Sequence, residues 1–521
     1  MLPDNLGYIF QDALRLHPSS EVLFQDDVQV TYTTLDENCS HVASGLQKLG
    51  VEAGDRVALL FGNHYRYIET LLGCMRCKAI GVPLNARLSD EALLYIISDS
   101  EPRVFIIGKT MLEAGLRLAR KLPRVRIVVD SSSGDGYLPY DEMIESAAGQ
   151  EFNRTPTAFD DICMLPYTSG STGKPKGVLL THGGQIWNTD VERKAMMLDE
   201  TERALVAVPL YHKNAMLGAV KPFLLAGGSM VVLHGFDPAE VLLAIHRFRA
   251  TYITGVPAMY KMMLAQQEVM PEVDVSSLRY AVCGSAEVPE ELLERFRRVF
   301  GSPIAESYGL TEGGPVPVIN TRWGLKKRGS CGREFPGCDV KLLAEDGITE
   351  VGLDEAGELV TRNPGLARGY WKLPDVTAQK FRDGWLYTGD LLRKDKDGYF
   401  YFVGRRDDVI DVGGERVYPK EVEDILLRHA NIRDVCVVAA PHPVKGKAPV
   451  AFVAERTPGE TSEQELQNFF LSRGAAFAHP RRVIFLEKLP LNSTGKFDRK
   501  KMMEMASELT IEPGGIPLGR H

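Results

Sequence analysis

The sequence predicts an α/β protein with a large N-terminal domain of parallel or mixed sheets and flanking helices, followed by a small α+β C-terminal domain. Two observations lead to this prediction. Short apolar strands alternate with capped helices along most of the chain, which is typical of parallel sheets. Residues 419–486 instead combine strands and helices in the order of a compact α+β module. The 521 residues provide enough chain for several hydrophobic cores.

The first helix of the N-terminal part is expected to open at a capping box. Thr34 and Glu37 have the spacing at which a side-chain oxygen and a backbone N–H three residues apart satisfy each other reciprocally. Apolar residues at helical spacing then continue to Gly50, where we expect the helix to end. An apolar strand is predicted at residues 57–61.

A βαβ unit is predicted further along the chain. Residues 230–233 form a short apolar strand, and Asp237 followed by Pro238 opens a helix, because proline at the first helical position loses no hydrogen bond. Residues 251–254 return as a strand. The same alternation recurs over residues 279–308, so a parallel sheet is expected here.

The C-terminal module is predicted from a second set of signals, including a Ser462–Glu465 capping box. The expected elements are helices at 419–429 and 462–473 and strands at 434–440, 450–455 and 482–486. This order differs from the alternation of the preceding chain.

Composition excludes several classes of function. The net charge is -8 and the pI is about 5.9, which argues against a general nucleic-acid binder. No apolar run approaches the roughly 20 residues of a membrane helix, and the N-terminus shows no secretory signal. The eight thinly spread cysteines indicate reduced thiols and a cytoplasmic location. Cys74 and Cys77 form a lone C-x-x-C, which we interpret as helix packing rather than a metal site.

Residues 167–177, YTSGSTGKPKG, combine hydroxyls, glycines and lysines. Glycines allow backbone amides to approach an anion, hydroxyls donate hydrogen bonds and lysines neutralise charge, so the segment predicts a polyphosphate-binding loop. It is not a P-loop, because Thr168 replaces the first glycine and Pro175 follows Lys174. The alternative is a polar linker, but strand-like flanks at 161–166 and 178–181 favour the tip of a hairpin.

Further motifs follow this loop in a fixed order: YGLTE (308–312), GYW (369–371), DGWLYTGD (383–390), GRRDDVIDVGGERVYPKEVE (404–423) and LPLNSTGK (489–496). Together with the loop, they resemble the acyl-adenylate-forming superfamily, and in particular the acyl-CoA synthetases. The resemblance covers nearly the whole chain.

This resemblance implies an AMP-forming acid–thiol ligase. A carboxylate attacks the α-phosphate of ATP to give an acyl-adenylate and pyrophosphate, and the thiol of coenzyme A then displaces AMP. The cofactors implied are ATP, Mg²⁺ and coenzyme A as co-substrate. The resemblance also implies an adenylate-forming N-terminal domain at residues 1–406 and a mobile C-terminal domain at 407–521, with Asp407 at the hinge.

The resemblance assigns roles to individual residues. The catalytic set is Thr168, His212, Glu312 and Lys496, with Glu312 binding the metal and Lys496 bridging the carboxylate and α-phosphate. The residues implied to hold the nucleotide phosphates are Thr168, Ser169, Gly170, Ser171, Thr172, Gly173, Lys174 and Thr311. The residues implied to lie at the adenine are Gly284, Ser285, Tyr308 and Gly309. Asp390 and Arg405 are implied to lie at the ribose, and Gly413 and Gly414 at the pantetheine.

The substrate is left open by the motifs. A medium- or long-chain fatty acid is the first expectation, since the apolar regions 220–233 and 253–263 could flank a long pocket, and an aryl acid is the alternative. A carrier-protein thiol, a luciferase-like oxygenation and a silent ATP-binding regulator also remain as rivals. Lys213 either contacts a second carboxylate on the substrate or points to solvent or phosphate. A homodimer is left open as the assembly.

Overall fold

A computed structural model of the chain describes residues 2–132, 136–150, 152–169, 174–284, 288–314, 317–322, 324–491, 497–509 and 511. The chain divides into two compact units. Unit 1 comprises Met1–Val340, Val360–Tyr387 and Asp397–Phe400, and unit 2 comprises Lys341–Leu359, Thr388–Lys396 and Tyr401–His521.

Most strands lie in unit 1. In chain order they are β1 (Glu21–Gln25), β2 (Val28–Thr31), β3 (Arg56–Leu60), β4 (Ile80–Pro83), β5 (Val104–Ile107), β6 (Arg126–Val129), β7 (Leu138–Pro139), β8 (Ile162–Met164), β9 (Tyr167–Ser169), β10 (Pro175–Gly177), β11 (Leu180–Thr181), β12 (Arg203–Val206), β13 (Ser229–Val232), β14 (Tyr252–Gly255), β15 (Tyr280–Gly284), β16 (Ile304–Tyr308), β17 (Val318–Ile319) and β18 (Arg333–Glu334).

The helices of unit 1 are α1 (Gln11–Leu16), α2 (Tyr32–Lys48), α3 (Tyr65–Arg76), α4 (Asp90–Ser100), α5 (Leu112–Ala119), α6 (Tyr140–Ala147), α7 (His182–Ala195), α8 (Lys213–Ala215), α9 (Lys221–Ala226), α10 (Pro238–Phe248), α11 (Pro257–Val269), α12 (Glu290–Phe300) and α13 (Pro374–Lys380). A π-helical segment, Met216–Val220, connects α8 to α9.

Two sheets organise unit 1 within the described residues. A seven-stranded sheet has the order β11-β8-β4-β3-β5-β6-β7, and a nine-stranded sheet has the order β18-β17-β16-β15-β14-β12-β13-β1-β2. The strands β16-β15-β14-β12-β13-β1 are mutually parallel, and the edge pairs are antiparallel. Parallel strands need crossover connections, and helices lie between most of these strands along the chain. The predicted α/β class is therefore confirmed.

Unit 2 contains the strands β24 (Ile410–Val412), β25 (Glu415–Val417), β26 (Ile432–His442), β27 (Gly446–Glu455) and β28 (Arg482–Phe485), with the helices α14 (Pro419–Leu426), α15 (Glu463–Leu471) and α16 (Arg499–Ser507). The division between the units passes through β19 (Asp339–Leu343), β20 (Gly357–Arg362), β22 (Trp385–Lys394) and β23 (Phe400–Arg405), whereas β21 (Phe381–Arg382) lies in unit 1.

Residue alternation along β26 explains how unit 2 packs. Val435 and Val437 face a core that includes residues of α14 and α15, while Cys436 and Val438 face a second core that includes residues of α16. Successive strand residues point to opposite faces, so one apolar strand supplies both cores. The smaller α+β part that the sequence predicts is thus confirmed, whereas the boundary at residues 406/407 and the mobility of the C-terminal domain stay predictions.

Most predicted elements appear within a few residues of their expected bounds, but the first capping box is wrong. Helix α2 begins at Tyr32, and Thr31 is the residue whose side chain accepts the N–H of Thr34. Thr34 therefore occupies the third helical position rather than the cap. Thr31 and Thr34 are both residues that can cap a helix, so the sequence allows the helix to begin after either of them. The structure uses Thr31 as the cap. The Ser462–Glu465 box is present as predicted.

The cysteines show no disulfide pairing, and all eight are free thiols. Cys74 lies in α3, and the buried thiol of Cys77 donates to the Cys74 carbonyl at 3.3 Å. Burial raises the pKa of Cys77 to about 11, so its thiol stays protonated near neutral pH. The interpretation of this pair as helix packing stays a prediction. Among the residues that the structure describes, none of the helices has the length and apolar character that crossing a membrane requires.

Candidate active site

The carboxyl ends of the parallel strands in the nine-stranded sheet bring several predicted residues to one edge. His212 follows β12, Gly284 ends β15 and Tyr308 ends β16. Gly284 is in register with Ser307, and β14 lies between β12 and β15. In open α/β sheets, ligands bind beyond the carboxyl ends of the strands. This edge is therefore the candidate nucleotide and acyl site of unit 1.

The strands on either side of the predicted phosphate loop pair as a hairpin, whereas residues 170–173 lie outside the described residues. Thr168 in β9 pairs with Lys176 in β10, and the outer strands β8 and β11 also pair antiparallel. Thr168 is half-buried. The ammonium of Lys174 is exposed and lies 5.4 Å from the ring centroid of Tyr95. Thr168 therefore lies within one strand of this hairpin, and Lys174 directly precedes the other.

Backbone contacts attach the GYW segment to this hairpin. The Trp371 N–H donates to the Gly177 carbonyl at 2.8 Å, and Val178 forms a β-bridge with Tyr370. The Tyr370 hydroxyl then donates to Oε1 of Glu312 at 3.1 Å, and the Lys176 ammonium lies 5.9 Å from the Tyr370 ring. Tyr370 therefore links the hairpin to the carboxylate that was predicted to bind the metal.

Glu312 lies in a short 3₁₀ turn, Thr311–Gly313, directly after β16. Its side chain is half-buried, and its backbone carbonyl accepts the Ala367 N–H at 3.0 Å. Within the described part of the chain, no three His, Cys, Asp or Glu side chains gather around a common centre. A single positioned carboxylate suits Mg²⁺, which takes one or two protein carboxylates and completes its shell with phosphate oxygens and water. Glu312 and its surroundings fit such an ion.

His212 and Lys213 mark the start of α8. Nδ1 of His212 accepts the Asn214 N–H at 3.2 Å, so the neutral ring carries its proton on Nε2. The Lys213 ammonium donates to the carbonyl of Gly309. Lys213 is thereby held beside Tyr308, which is itself buried. Whether Lys213 contacts the substrate stays a prediction.

In unit 2, Asp390 and Arg405 lie together. Their side chains approach to 3.5 Å, with Asp390 mostly buried and Arg405 half exposed. The strand around Asp390 is fixed by Glu358, a buried carboxylate that accepts the Gly389 N–H at 2.9 Å and pairs with Arg406 at 2.9 Å. A fixed carboxylate with two acceptor oxygens fits the adjacent hydroxyls of a ribose.

Gly413 and Gly414 form the two-residue turn between β24 and β25, with φ values of 66° and 94°. Such a turn needs left-handed backbone at both positions, which explains the glycines without a ligand. A Cβ at Gly413 would also meet Lys445 Cδ at 2.7 Å. The predicted contact with pantetheine remains a prediction.

Comparison with known proteins decides the family. The family described as AMP-binding enzyme matches residues 10–371, and the AMP-binding enzyme C-terminal domain matches residues 421–496. The chain belongs to the AMP-binding enzyme family.

Curated relatives of this AMP-binding enzyme include a protein named feruloyl-CoA synthase from Amycolatopsis sp, 37% identical over 484 residues, with 92% of this chain and 95% of the relative covered. A long-chain-fatty-acid–CoA ligase from Bacillus subtilis is 30% identical over 96% of this chain and 95% of its own length. Among solved structures, the anthranilate CoA ligase AuaEII in complex with anthranoyl-AMP superposes with a TM-score of 0.89 at 29% identity, covering 97% of this chain and 98% of that chain.

The predicted acyl-CoA synthetase of the adenylate-forming superfamily, an AMP-forming acid–thiol ligase, is therefore confirmed as family and enzyme class. For this enzyme class, the substrates are a carboxylic acid, ATP and coenzyme A. The particular acid is not decided, because aryl-acid and fatty-acid ligases both stand among the relatives.

Some predicted residues of this AMP-binding enzyme lie outside the described residues, and their roles stay predictions. These are Gly170, Ser171, Thr172, Gly173, Ser285 and Lys496. Ser169 belongs to β9.

Sequence reasoning missed two residues that the structure connects to the site. Tyr370 holds Glu312 from within a motif that we had recognised without assigning it a role. Glu358 holds the strand around Asp390, and a single acidic residue within a strand gives no signal for that contact in the sequence. His182, directly after the hairpin, packs inside the fold: its ring is fully buried, and its Nδ1 accepts the Leu6 N–H at 3.0 Å.

Proposed function

We propose that this enzyme joins an aryl carboxylic acid to coenzyme A through an acyl-adenylate, with ATP and Mg²⁺. The observation that carries the proposal is the 37% identity with feruloyl-CoA synthase over 92% of the chain, compared with 30% for the Bacillus subtilis fatty-acid ligase. The structural similarity to a ligase of anthranilate, another aryl acid, supports the same class.

In the first half-reaction, a carboxylate oxygen attacks the α-phosphorus of ATP and pyrophosphate leaves. Two anions must be brought together, so positioning and positive charge supply most of the catalysis. We propose that Thr168 and Lys174 contact the leaving phosphates, that Thr311 contacts the α-phosphate and that Tyr308 lies along the adenine. His212 would lie between the acyl group and the phosphates, where Nε2 carries the proton of the neutral ring.

Glu312 would hold Mg²⁺, which neutralises phosphate charge when it is bound. The Tyr370 hydroxyl occupies one side of Oε1, so the carboxylate is oriented before any ligand arrives. A positioned anion needs no reorganisation when the ion and nucleotide bind, and this is what makes such contacts useful in catalysis.

For unit 2, we propose that Asp390 accepts hydrogen bonds from the ribose hydroxyls with Arg405 beside it. In the second half-reaction, the coenzyme A thiol attacks the acyl carbon and AMP leaves with the electron pair of the broken C–O bond. Gly413 and Gly414 would border the pantetheine arm, and Lys496 would act in adenylation. We further propose residues 1–406 and 407–521 as the functional domains, and a cytoplasmic location; the homodimer stays an untested expectation.

A medium- or long-chain fatty acid is the second candidate substrate. Two relatives favour it: the Bacillus subtilis enzyme and a medium/long-chain-fatty-acid–CoA ligase of Mycobacterium tuberculosis, which is 33% identical over 96% of this chain and 89% of its own length. The apolar regions that led to the original expectation are consistent with it.

ATP–pyrophosphate exchange across fatty, aryl and dicarboxylic acids tests the proposal, followed by thioester detection with and without coenzyme A. We expect exchange with aryl acids at a kcat/KM at least about tenfold above that for dodecanoate, which corresponds to ~1.4 kcal/mol of differential transition-state binding. Thioester should form only when coenzyme A is added. Exchange that prefers the fatty acid would reverse the order of the candidates, and exchange with no acid would refute the proposed function.

A further inference from the structure

Helix α7 carries a buried polar face that the adenylation chemistry does not use. Gln185, Asn188 and Glu192 follow each other at intervals of three and four residues, so they share one side of the helix. Each is at most 3% exposed. The Lys221 ammonium, also buried, donates to Oε1 of Gln185 at 2.6 Å. We call these four residues the Glu192 cluster.

Two buried polar atoms of the Glu192 cluster have no hydrogen-bonding partner among the residues that the structure describes. They are Oδ1 of Asn188 and Oε2 of Glu192, one helical turn apart. A buried acceptor without a partner costs about 1–3 kcal/mol, and buried polar atoms are nearly always satisfied. Two such atoms on one helix face, beside a buried ammonium, indicate that something outside the polypeptide hydrogen-bonds there.

The Glu192 cluster connects to the candidate acyl site along a helix. Lys221 lies eight residues after Lys213, which is about 12 Å at 1.5 Å per helical residue. Lys213 contacts Gly309 at the end of β16. The charge of Lys213 also lowers the pKa of Glu192, so the Glu192 carboxyl group lies within electrostatic range of this edge of the sheet. The helical stretch from Lys213 to Lys221 therefore begins at the candidate nucleotide and acyl site and ends at the Glu192 cluster.

Polar groups also mark the strand beneath this helix. Thr254 donates to Oδ1 of Asn214 at 2.5 Å, and the Tyr252 hydroxyl donates to the Gly218 carbonyl at 2.5 Å. A Cβ at Gly218 would lie 3.2–3.7 Å from Asn214, Thr254 and Tyr252. These polar groups satisfy one another, so the strand holds the helical segment between Lys213 and Lys221 in a fixed position.

The chemistry of the Glu192 cluster selects the kind of group. Burial raises the pKa of Glu192 to about 8, and the nearby charges of Lys221 and Lys213 oppose that rise. Burial lowers the pKa of Lys221 to about 8. Near neutral pH, the cluster therefore offers both donors and acceptors. A hydroxyl group both donates and accepts, so it suits the Asn188 oxygen and the protonated Glu192 carboxyl together, whereas a second carboxylate only accepts and would face the acceptor oxygen of Asn188.

We propose that the Glu192 cluster binds a hydroxyl substituent on the ring of an aryl carboxylic acid, at the end of the acyl pocket away from the adenylate. This inference rests on the proposed function and makes it narrower: the preferred acids are hydroxylated aryl acids. The substrate hydroxyl donates to Oδ1 of Asn188 and accepts from the protonated carboxyl group of Glu192. Lys221 is a positioning residue that orients Gln185.

The test compares 4-hydroxycinnamate with cinnamate, two acids that differ only in the ring hydroxyl. The ratio of their kcat/KM values in ATP–pyrophosphate exchange is independent of the fraction of active enzyme, so partial unfolding of a variant does not distort it. We expect wild type to prefer the hydroxylated acid at least about tenfold, because a site built to hydrogen-bond a substrate hydroxyl rejects the analogue lacking it. Glu192→Met and Asn188→Leu should each move the ratio toward one, whereas Glu192→Gln should keep much of the preference.

Glu69→Met provides the matched control. Glu69 is a second buried carboxyl group with a raised pKa, and Asn38 donates to it at 2.7 Å next to the seven-stranded sheet. It should retain the wild-type ratio. A wild-type ratio near one, or an unchanged ratio in both Glu192→Met and Asn188→Leu, would show that only internal water uses these atoms and would overturn the inference. If no aryl acid supports exchange in wild type, the proposed function itself fails.

Discussion

Replacing Tyr370 with phenylalanine tests whether the GYW segment acts through Glu312. The substitution removes one hydroxyl and leaves the ring beside Lys176 and Phe381. It deletes the 3.1 Å hydrogen bond to Oε1 of Glu312. The carboxylate then loses a partner that fixes its orientation, although the backbone contact of Ala367 with Glu312 remains.

The expected magnitude follows from the character of this hydrogen bond. A bond to a charged group contributes about 1.5–3 kcal/mol when it is well buried. Glu312 is only half-buried, so water replaces part of the lost interaction and about 1–2 kcal/mol is a reasonable range. We therefore expect kcat/KM for ATP–pyrophosphate exchange to fall about 5- to 30-fold. The loss should appear at every Mg²⁺ concentration that supports exchange.

A double-mutant cycle with Glu312→Gln identifies the route of the effect. If Tyr370 acts by orienting Glu312, the two losses are not additive, and the double variant resembles Glu312→Gln alone. Tyr401→Phe is the matched control, because the Tyr401 hydroxyl donates to Asp395 at a similar 3.0 Å in unit 2. Fully additive losses, or an equal loss of exchange in Tyr401→Phe, would refute the reasoning.

Three further predictions concern other parts of the chain. Lys496→Ala should abolish pyrophosphate exchange while thioester formation from supplied acyl-adenylate persists; Lys488→Ala is its control, and equal loss of both half-reactions would contradict the role. Asp390→Asn should raise the KM for ATP about tenfold by weakening charged hydrogen bonds to the ribose, whereas Asp354→Asn, at an aspartate paired with Arg393 at 3.0 Å, should not. Burial lowers the pKa of His182 to about 4, below its unfolded value of about 6.5. As the pH falls, the unfolded state therefore binds the proton before the folded state does, and up to ~3 kcal/mol of the free energy of unfolding is lost between about pH 6.5 and 4. His182→Asn should flatten that part of a plot of the free energy of unfolding against pH. An unchanged slope in the variant would show that His182 does not cause the loss.

Local chemistry made much of the fold predictable. Asp237 followed by Pro238 starts α10 as expected, with the Asp237 side chain accepting the N–H groups of Ala239 and Glu240. The capping box at Ser462 was equally informative. At Thr31 and Thr34 the same reasoning chose the wrong register, because two residues with nearly equal capping ability stand three positions apart and tertiary packing decides between them.

The candidate site was predictable where one segment carries a whole function. The hairpin at Thr168 and the turn at Glu312 fall into this class. Contacts between distant segments were not, because local propensity contains no information about which strands become neighbours. Tyr370 and Glu312 are 58 residues apart, and Lys221 and Gln185 are 36 residues apart. The resemblance assigns Gly413 and Gly414 to the binding of pantetheine, whereas their positive φ values already require glycine at both positions.

The two candidate substrate classes make opposite demands on the buried side chains of α7. A long aliphatic chain reaching the Glu192 cluster would leave the oxygens of Asn188 and Glu192 unsatisfied, at about 1–3 kcal/mol for each. An enzyme selective for fatty acids gains by having apolar residues at such positions, since the same volume could then add dispersion contacts. The chain instead retains an amide, a carboxyl group and an ammonium in a region that is almost fully buried. Retaining such groups is favourable when a ligand satisfies them, and a hydroxylated aromatic acid does so without introducing a second charge.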